Sequence, residues 1–267
     1  MRVGFLQTRP RFGAVEENVA RIERALARVR DATVVLPELC TTGYVFESRA
    51  EAEALAEPLD GPSVRRLREL ARRNRSTLCF GMAERDGRRV YNSAVTVTPA
   101  GRTFVYRKAH LFDREKLVFD VAAPSFEVVR AETTLGVMIC FDWIFPEVCR
   151  SLALSGARLV LHPSNLVLPY CQDAMVTRAI ENRVFAVTCN RVGQESRAGV
   201  RLRFTGRSQV VGPGGQVLVR AGAGGESLRL VRIDPEEAAD KHITPRNDLF
   251  RDRRPQLYRE LVSQRRT

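Results

Sequence analysis

The chain has 267 residues, of which 44% are hydrophobic and 28% charged, the balance of a folded globular protein long enough for a substantial core. No apolar run approaches the roughly 18 residues that a membrane span requires, and no cleavage site follows the N-terminal apolar segment. The net charge of +12 suggests acidic partners, but the basic residues are nearly all scattered arginines without a nucleic-acid-binding motif. We therefore expect neither nucleic acid nor a membrane as a partner.

The cysteines and histidines do not have the spacing of a metal site. No two of the six cysteines form a CxxC pair, and the three histidines are far from one another in sequence, so we expect no zinc site. A chain of this length does not need disulfides, and nothing indicates export. We therefore expect reduced thiols and a cytoplasmic protein.

Strand and helix patterns alternate along the first half of the chain. Val19, Ile22, Leu26 and Val29 share one helical face, which predicts a helix. A second helix is expected to be capped by Ser63. In chain order the predictions are strand 3–6, helix 15–30, strand 33–37, the helix after residue 63, and strands 77–83, 91–98 and 103–107.

The second half continues the alternation and ends in a polar, arginine-rich stretch. Pro146 is suited to the first turn of a helix. The predictions are strand 135–140, helix 146–156, strand 158–161, helix 173–183, and strands 185–189, 208–211, 217–220 and 227–233. No linker divides the chain. We expect one α/β domain over 1–267 with sheets covered by helices, a core of 1–233 and a tail of 234–267.

The first candidate for chemistry is Glu38, which follows the predicted buried strand that ends in Val-Val-Leu-Pro. Strand ends are where α/β folds build sites. Desolvation there would raise the pKa of the carboxyl and suit it to proton transfer. A capping or salt-bridged Glu is the alternative interpretation.

The second candidate is Lys108, one of only three lysines among 43 basic residues. It directly follows a predicted strand. Its compact ammonium can donate to a developing oxyanion, a task that the planar guanidinium of Arg does not match. An ordinary surface lysine is the alternative.

The third candidate is Cys140, which ends an apolar strand shortly before the helix at Pro146. A strand-to-turn placement of this kind can expose a thiol as a nucleophile at a tight elbow. The alternative is a buried core cysteine. A nearby ammonium would lower the cost of forming the thiolate.

A base, an oxyanion donor and a nucleophile together form a complete set for acyl transfer. Their order and contexts resemble the nitrilase superfamily of carbon–nitrogen hydrolases over about residues 1–250. The matching segments are Pro37-Glu38 with Gly43-Tyr44, Arg107-Lys108-Ala-His110-Leu111, Cys140-Phe-Asp-Trp-Ile-Phe-Pro146-Glu147, Arg150 to Ala157, His162-Pro-Ser-Asn165 and Arg178 to Arg183. Within the superfamily, the motifs are most similar to those of small archaeal-type aliphatic nitrilases.

The resemblance implies a four-layer α-β-β-α sandwich with an extended C-terminal tail and a homodimer or higher even oligomer. It implies that Glu38, Lys108 and Cys140 are catalytic, and that Glu115 positions substrate and water. The Phe141 N–H would share the oxyanion with Lys108, and no metal or organic cofactor is needed. Side chains near the motifs that could line a pocket, or simply pack, are Tyr44, Phe112, Trp143, Asn165 and Tyr170.

The implied activity is hydrolysis of a small nitrile or amide to a carboxylic acid and ammonia through a cysteine thioester, with an aliphatic nitrilase as the first expectation. An amidase or N-carbamoyl-amine hydrolase of the same superfamily is the alternative. A module of different class, which binds a ligand without turnover, also stays open. Nitrile and amide attack share one nucleophile, base and oxyanion donor, so no residue of the sequence separates them.

Overall fold

The computed structural model describes residues 1–263 except 124 and 198. Two six-stranded sheets pack face to face, and each is covered on its outer face by helices. This is the four-layer α-β-β-α sandwich that the resemblance to the nitrilase superfamily implies. The tail beyond residue 234 lies outside both sheets.

The strands and helices follow the predicted alternation. The strands are β1 (Arg2–Gln7), β2 (Thr33–Val35), β3 (Thr77–Asp86), β4 (Arg89–Val97), β5 (Thr103–Arg107), β6 (Val129–Arg130), β7 (Thr134–Val137), β8 (Leu159–Ser164), β9 (Phe185–Asn190), β10 (Gln194–Arg197), β11 (Val200–Arg203), β12 (Gln209–Val211), β13 (Val217–Arg220), β14 (Ser227–Arg232), β15 (His242–Thr244) and β16 (Asn247–Asp248). The helices are α1 (Val15–Leu26), α2 (Arg49–Leu55), α3 (Pro62–Arg73), α4 (Glu115–Val118), α5 (Pro146–Leu154) and α6 (Cys171–Asn182).

The strand order is β14-β1-β2-β3-β4-β5 in the first sheet and β13-β12-β9-β8-β7-β6 in the second. The inner pairs β1–β2–β3 and β7–β8–β9 are parallel, and the outer pairs are antiparallel. Parallel strands need long crossover connections, and here helices provide them. The carboxyl ends of β2 and β7 are therefore two of the points from which the chain leaves a sheet for a helical crossover.

Alternation along the strands builds two separate cores. In β2, Val35 joins the core between the sheets, whereas Val34 joins the core beneath α1 and α3. In β3, Cys79 faces the core between the sheets and Phe80 faces the core beneath α1 and α3. Successive side chains of a strand point to opposite faces, so a sheet in the middle of four layers must be apolar on both sides.

Several element boundaries differ from the predictions for local reasons. The strand expected over 135–140 ends at Val137, because the chain turns into a short 3₁₀ helix at Cys140. Ser63 does not cap α3. The helix begins at Pro62, and both the N–H and the hydroxyl of Ser63 donate to Glu57.

The tail is held to its own chain up to about residue 250. Ala238 and Phe250 pack with the main core. The Lys241 ammonium donates to the carbonyl oxygens of Asn182 and Arg183 at 3.1 and 2.8 Å, where α6 ends. Unpaired carbonyls at a helix C-terminus attract a cation, which explains why this part of the tail follows α6.

Candidate active site

Glu38 lies in a tight turn just after β2 and is completely buried. The turn is fixed by β3, since the Gly81 N–H donates to Pro37 O at 3.1 Å and Gly81 O accepts from the Cys40 N–H at 3.0 Å. A Cβ on Gly81 would lie 2.4 Å from the Glu38 Cα. Only glycine permits this approach, so the strand and the turn are matched to each other.

Lys108 follows β5 and is held beside Glu38 by the β4–β5 hairpin. Its backbone N–H donates to Asn92 O at 2.8 Å. Its ammonium donates to Glu38 Oε1 at 2.7 Å and to both oxygens of Glu115 at 2.8 Å. The structure therefore brings three of the predicted catalytic residues into direct contact.

This cluster contains one cation and two carboxylates in the protein interior. Burial alone would lower the pKa of Lys108, but the charges of Glu115 and Glu38 outweigh it and raise the pKa, so the side chain is an ammonium at neutral pH. Burial raises the pKa of Glu115, and Lys108 opposes that rise. Lys108 thus compensates charges that would be costly to bury alone.

Cys140 occupies the strained elbow between β7 and α5. Its φ is +42°, a left-handed conformation that costs a non-glycine residue energy and is concentrated at functional sites. His162 donates from Nε2 to the Cys140 carbonyl at 2.9 Å. Burial lowers the pKa of His162 to about 4, so a neutral imidazole supports the elbow.

Asp142 holds the same elbow from the other side. Its carboxylate accepts from the Ile139 N–H at 2.9 Å, from the Tyr106 hydroxyl at 2.8 Å and from the His110 N–H at 3.1 Å. The side chain is fully buried. The His110 ring also approaches it, with Nδ1 2.8 Å from the carboxylate. Asp142 thus joins β5 and the residues after it to the turn that presents the Cys140 thiol.

The pKa of the Cys140 thiol is held well above its usual range. This finding corrects the expectation that a nearby ammonium would lower the free-energy cost of forming the thiolate. Burial is the main cause, and the charge of Glu38 adds to it, while Lys108 only partly offsets both. The thiol is therefore protonated in the resting protein. A reaction at this sulfur requires a base that takes the proton as the bond forms.

Glu38 has an oxygen available for that proton. Its Oε1 accepts from Lys108 and from Asn92 Nδ2, each at 2.7 Å. Its buried Oε2 has no hydrogen-bond partner in the described part of the chain. A buried carboxylate oxygen without a donor is uncommon, and here it belongs to the residue that the sequence suggests as the base.

The predicted pocket residues divide into two groups. Tyr44 and Phe112 line a cavity of about 60 Å³ together with Glu115, Val200 and Leu202. The Tyr44 hydroxyl donates to Glu115 at 2.6 Å. These contacts place Tyr44 and Phe112 at the edge of the charged cluster.

The other predicted pocket residues are placed differently. Phe141 contacts Phe112, with ring centroids 5.0 Å apart. Asn165 is buried and donates from Nδ2 to the Glu38 carbonyl at 2.9 Å, so it supports the Glu38 turn. Trp143 packs against the core beside α5, and Tyr170 is 63% exposed just before α6. The structure brings neither of the last two into contact with the cluster.

The sequence analysis did not assign roles to Asn92 and Asp142. A signal existed for Asn92, which is an amide inside the apolar run of β4. Buried polar side chains require partners, and the partner proves to be Glu38. Asp142 was noticed only as part of a motif. Its local donor is the Ile139 N–H, but its other donors, Tyr106 and His110, lie 36 and 32 residues away, and sequence spacing does not indicate those contacts.

Among the described residues, no group of three or more His, Cys, Asp or Glu side chains could hold a metal ion. No described helix is both long and apolar enough to cross a membrane.

The chain belongs to the carbon–nitrogen hydrolase family, whose model matches residues 2–242. It is 40% identical to a nitrilase of Pyrococcus abyssi over 97% of this chain and 99% of that protein. It is 34% identical to an (R)-stereoselective amidase of a Pseudomonas species, over 96% and 93% of the two chains. A crystal structure of a carbon–nitrogen hydrolase from Helicobacter pylori G27 superposes with a TM-score of 0.86 at 26% identity, covering 99% of this chain and 98% of that one. The protein is thus a nitrilase-superfamily hydrolase, as the sequence resemblance indicates.

Proposed function

We propose that the protein hydrolyses a small nitrile or amide to a carboxylic acid and ammonia through a thioester on Cys140. The observation that carries the proposal is the unpartnered Oε2 of Glu38 in a cluster where Lys108 occupies the other oxygen. This arrangement leaves one atom free to take a proton and one cation to stabilise negative charge. It supports the assignment of Glu38, Lys108 and Cys140 as base, oxyanion donor and nucleophile.

For an amide, Glu38 takes the thiol proton while sulfur forms a bond to the carbonyl carbon. The resulting oxyanion is stabilised by the Lys108 ammonium and the Phe141 N–H. Glu38 then gives its proton to the leaving nitrogen, the C–N bond breaks and ammonia departs. Water, deprotonated by Glu38, attacks the thioester, and the C–S bond breaks to release the acid and restore the thiol.

For a nitrile, the same attack yields a thioimidate, to which one water adds before ammonia leaves. A second water then hydrolyses the thioester. Glu115 would hold Lys108 in place throughout, because both of its oxygens accept from that ammonium. The two substrate classes need the same residues and differ in the number of waters consumed.

A small aliphatic nitrile is the first substrate class that we propose. Its support is the 40% identity to a nitrilase and the aromatic crowding around the cavity by Tyr44, Phe46, Phe112 and Phe119. An amide, including an N-carbamoyl amine, is the second candidate. It is favoured by the relatives named (R)-stereoselective amidase and N-carbamoylputrescine amidase.

Ammonia release across short nitriles, amides and carbamoyl amines, with mass spectrometry of the products from malononitrile, tests the proposal. We expect acid and ammonia from at least one small substrate, and no turnover by Cys140→Ala. Cys149→Ala is the matched control, since Cys149 is also a buried free thiol but lies in α5. Undiminished turnover by Cys140→Ala would refute the thioester route. Ligand binding without any product would favour the non-catalytic module.

A further inference from the structure

Arg191 and Glu195 form an ion pair that is nearly completely buried, with side chains 1% and 7% exposed. Arg191 follows β9, and Glu195 lies in β10. Removing two charges from water is costly, and a buried pair often stabilises a fold less than apolar residues of the same volume would. Such a pair therefore calls for an explanation beyond stability.

The Glu195 carboxylate binds the backbone of the loop that follows Glu38. It accepts from the Tyr44 N–H at 3.1 Å and from the Val45 N–H at 2.7 Å. The loop is shaped to fit it, because Gly43 has a φ of +87° and a Cβ there would lie 3.1 Å from Glu195 Oε1. A carboxylate that accepts two adjacent amide protons fixes both peptide planes.

Arg191 holds the Glu195 carboxylate in place and also contacts Pro10 and Phe204, which lie near the loop that carries Tyr44. Its guanidinium donates to Pro10 O at 3.1 Å and lies 4.1 Å above the ring of Phe204. The Phe204 ring packs edge-on against Tyr44, with centroids 6.0 Å apart. Tyr44 is therefore held through its backbone by Glu195 and through its ring by Phe204.

The other end of Tyr44 reaches the charged cluster. Its hydroxyl donates to Glu115 Oε1 at 2.6 Å, and the same oxygen accepts from Lys108 at 2.8 Å. Glu115 has three donors in total, the third being the Phe112 N–H at 3.2 Å. A displaced Tyr44 would remove one of these three donors, so Glu115 would be held less firmly and the direction of the Lys108 ammonium would be less well fixed.

We propose that the Arg191–Glu195 ion pair is a positioning device that sets the direction of Lys108 through Tyr44 and Glu115. The inference rests on the proposed function, in which Lys108 receives the oxyanion. Tyr44 is then a positioning residue as well as a lining residue of the cavity. The alternative is an ion pair that only stabilises the fold.

A double-mutant cycle separates the two roles. The proteins are the wild type, Tyr44→Phe, Glu195→Gln and the double variant, with Glu23→Gln as control because Glu23 pairs with Arg66 between α1 and α3. The readouts are kcat/KM, the melting temperature, and the rate at which iodoacetamide alkylates Cys140, which needs no knowledge of the substrate.

We expect each single variant to lower both rates roughly tenfold, the scale of one hydrogen bond to a charged group. The double variant should match Tyr44→Phe alone, because Glu195 acts through the Tyr44 hydroxyl. The control should keep wild-type rates. Losing the donated hydrogen bond raises the pKa of Glu115 further, so the acidic limb of kcat/KM should move to higher pH in both single variants.

A lower melting temperature for Glu195→Gln with unchanged rates, or a double variant whose losses multiply, would overturn the positioning role. Should Glu195→Gln fail to fold, Arg191→Met with Glu195→Gln removes both charges and leaves none unpaired. It enters the same cycle with Tyr44→Phe. If wild-type Cys140 is neither alkylated preferentially nor active, the proposed function fails and the inference falls with it. An active wild type with multiplicative losses overturns the inference alone.

Discussion

At the scale of single residues, the site combines a protonated thiol with a carboxylate that has one free oxygen. Burial is the main cause of the high pKa of the Cys140 thiol, and the charge of Glu38 adds to it. In the proposed mechanism, the same carboxylate takes the proton when sulfur attacks. Such a mechanism avoids a standing thiolate, which any electrophile could consume, and makes reactivity depend on a base that acts during the reaction.

Glu38→Gln and Lys108→Arg should each lower turnover at least about a hundredfold, the scale of a lost proton-transfer group or oxyanion donor. Glutamine keeps the shape but accepts no proton. Arginine keeps the charge, but its larger planar group does not fit a position where Lys108 is fully enclosed between two carboxylates. Steady-state kinetics, with circular dichroism to verify folding, is the measurement. Near-wild-type turnover in either variant would contradict its assigned role.

Cys140 should also be the thiol that iodoacetamide labels first at neutral pH. All six cysteines are free and buried, and burial raises the pKa of every one of them, Cys140 included. Cys140 differs from the other five in lying within reach of the charges of both Glu38, the proposed base, and the Lys108 ammonium. Peptide mapping after brief labelling checks this. Preferential labelling of another cysteine with activity intact would remove Cys140 from its role.

At the scale of elements, the candidate site is formed where β2, β5 and β7 end. The sequence predicted all three strands and the reactive side chain after each, although β2 and β7 end at Val35 and Val137, before the predicted residues 37 and 140. It could not predict the contacts of Asn92 or Glu195. Glu195 binds backbone groups 150 residues away, and such pairings depend on how the sheets pack. The helix α2 and the hairpin β10–β11 were missed because both are short and rich in charged residues, without a clear apolar face.

Gly81→Ala should displace the turn that carries Glu38. The added methyl group would lie 2.3 to 2.6 Å from backbone atoms of Glu38 and Leu39, and backbone cannot move aside as a flexible side chain can. We expect a loss of about 1–3 kcal/mol in the free energy of unfolding and a larger fall in turnover than stability explains. Gly224→Ala is the control, since nothing lies within 4 Å of its added methyl. Denaturant unfolding measures the stability of both variants, and steady-state kinetics measures their turnover. Equal behaviour of the two would show that the close approach is unimportant.

At the scale of the whole molecule, the two outer layers differ in the side chains that they expose. The layer of α5 and α6 exposes large apolar side chains. Exposed large apolar side chains lie in and beside these helices, namely Ile144, Leu154, Leu168, Tyr170 and Ile180. The end of the tail exposes Leu257 and Leu261 as well. By contrast, the outer faces of α1 and α3 are charged, and ion pairs such as Arg66–Glu23 join them. Other exposed apolar side chains lie away from these helices, including Leu117, Val121 and Leu218. Those of α5 and α6 lie on two helices that contact each other, the arrangement expected of an association surface.

We therefore expect a homodimer, or an even multiple of one, that covers the α5 and α6 face with a second copy of the chain. The part of the tail up to Phe250 packs on its own chain. Residues 255–263 are all exposed, and they are the described part of the tail that we expect to contact the partner. Leu154→Glu combined with Ile180→Glu should convert the assembly to monomers, because two buried charges without partners oppose association. Leu218→Glu, on the edge strand β13, should leave it intact. Sedimentation at micromolar concentration measures all three proteins, and a wild type that sediments as a 30 kDa monomer would refute the assembly.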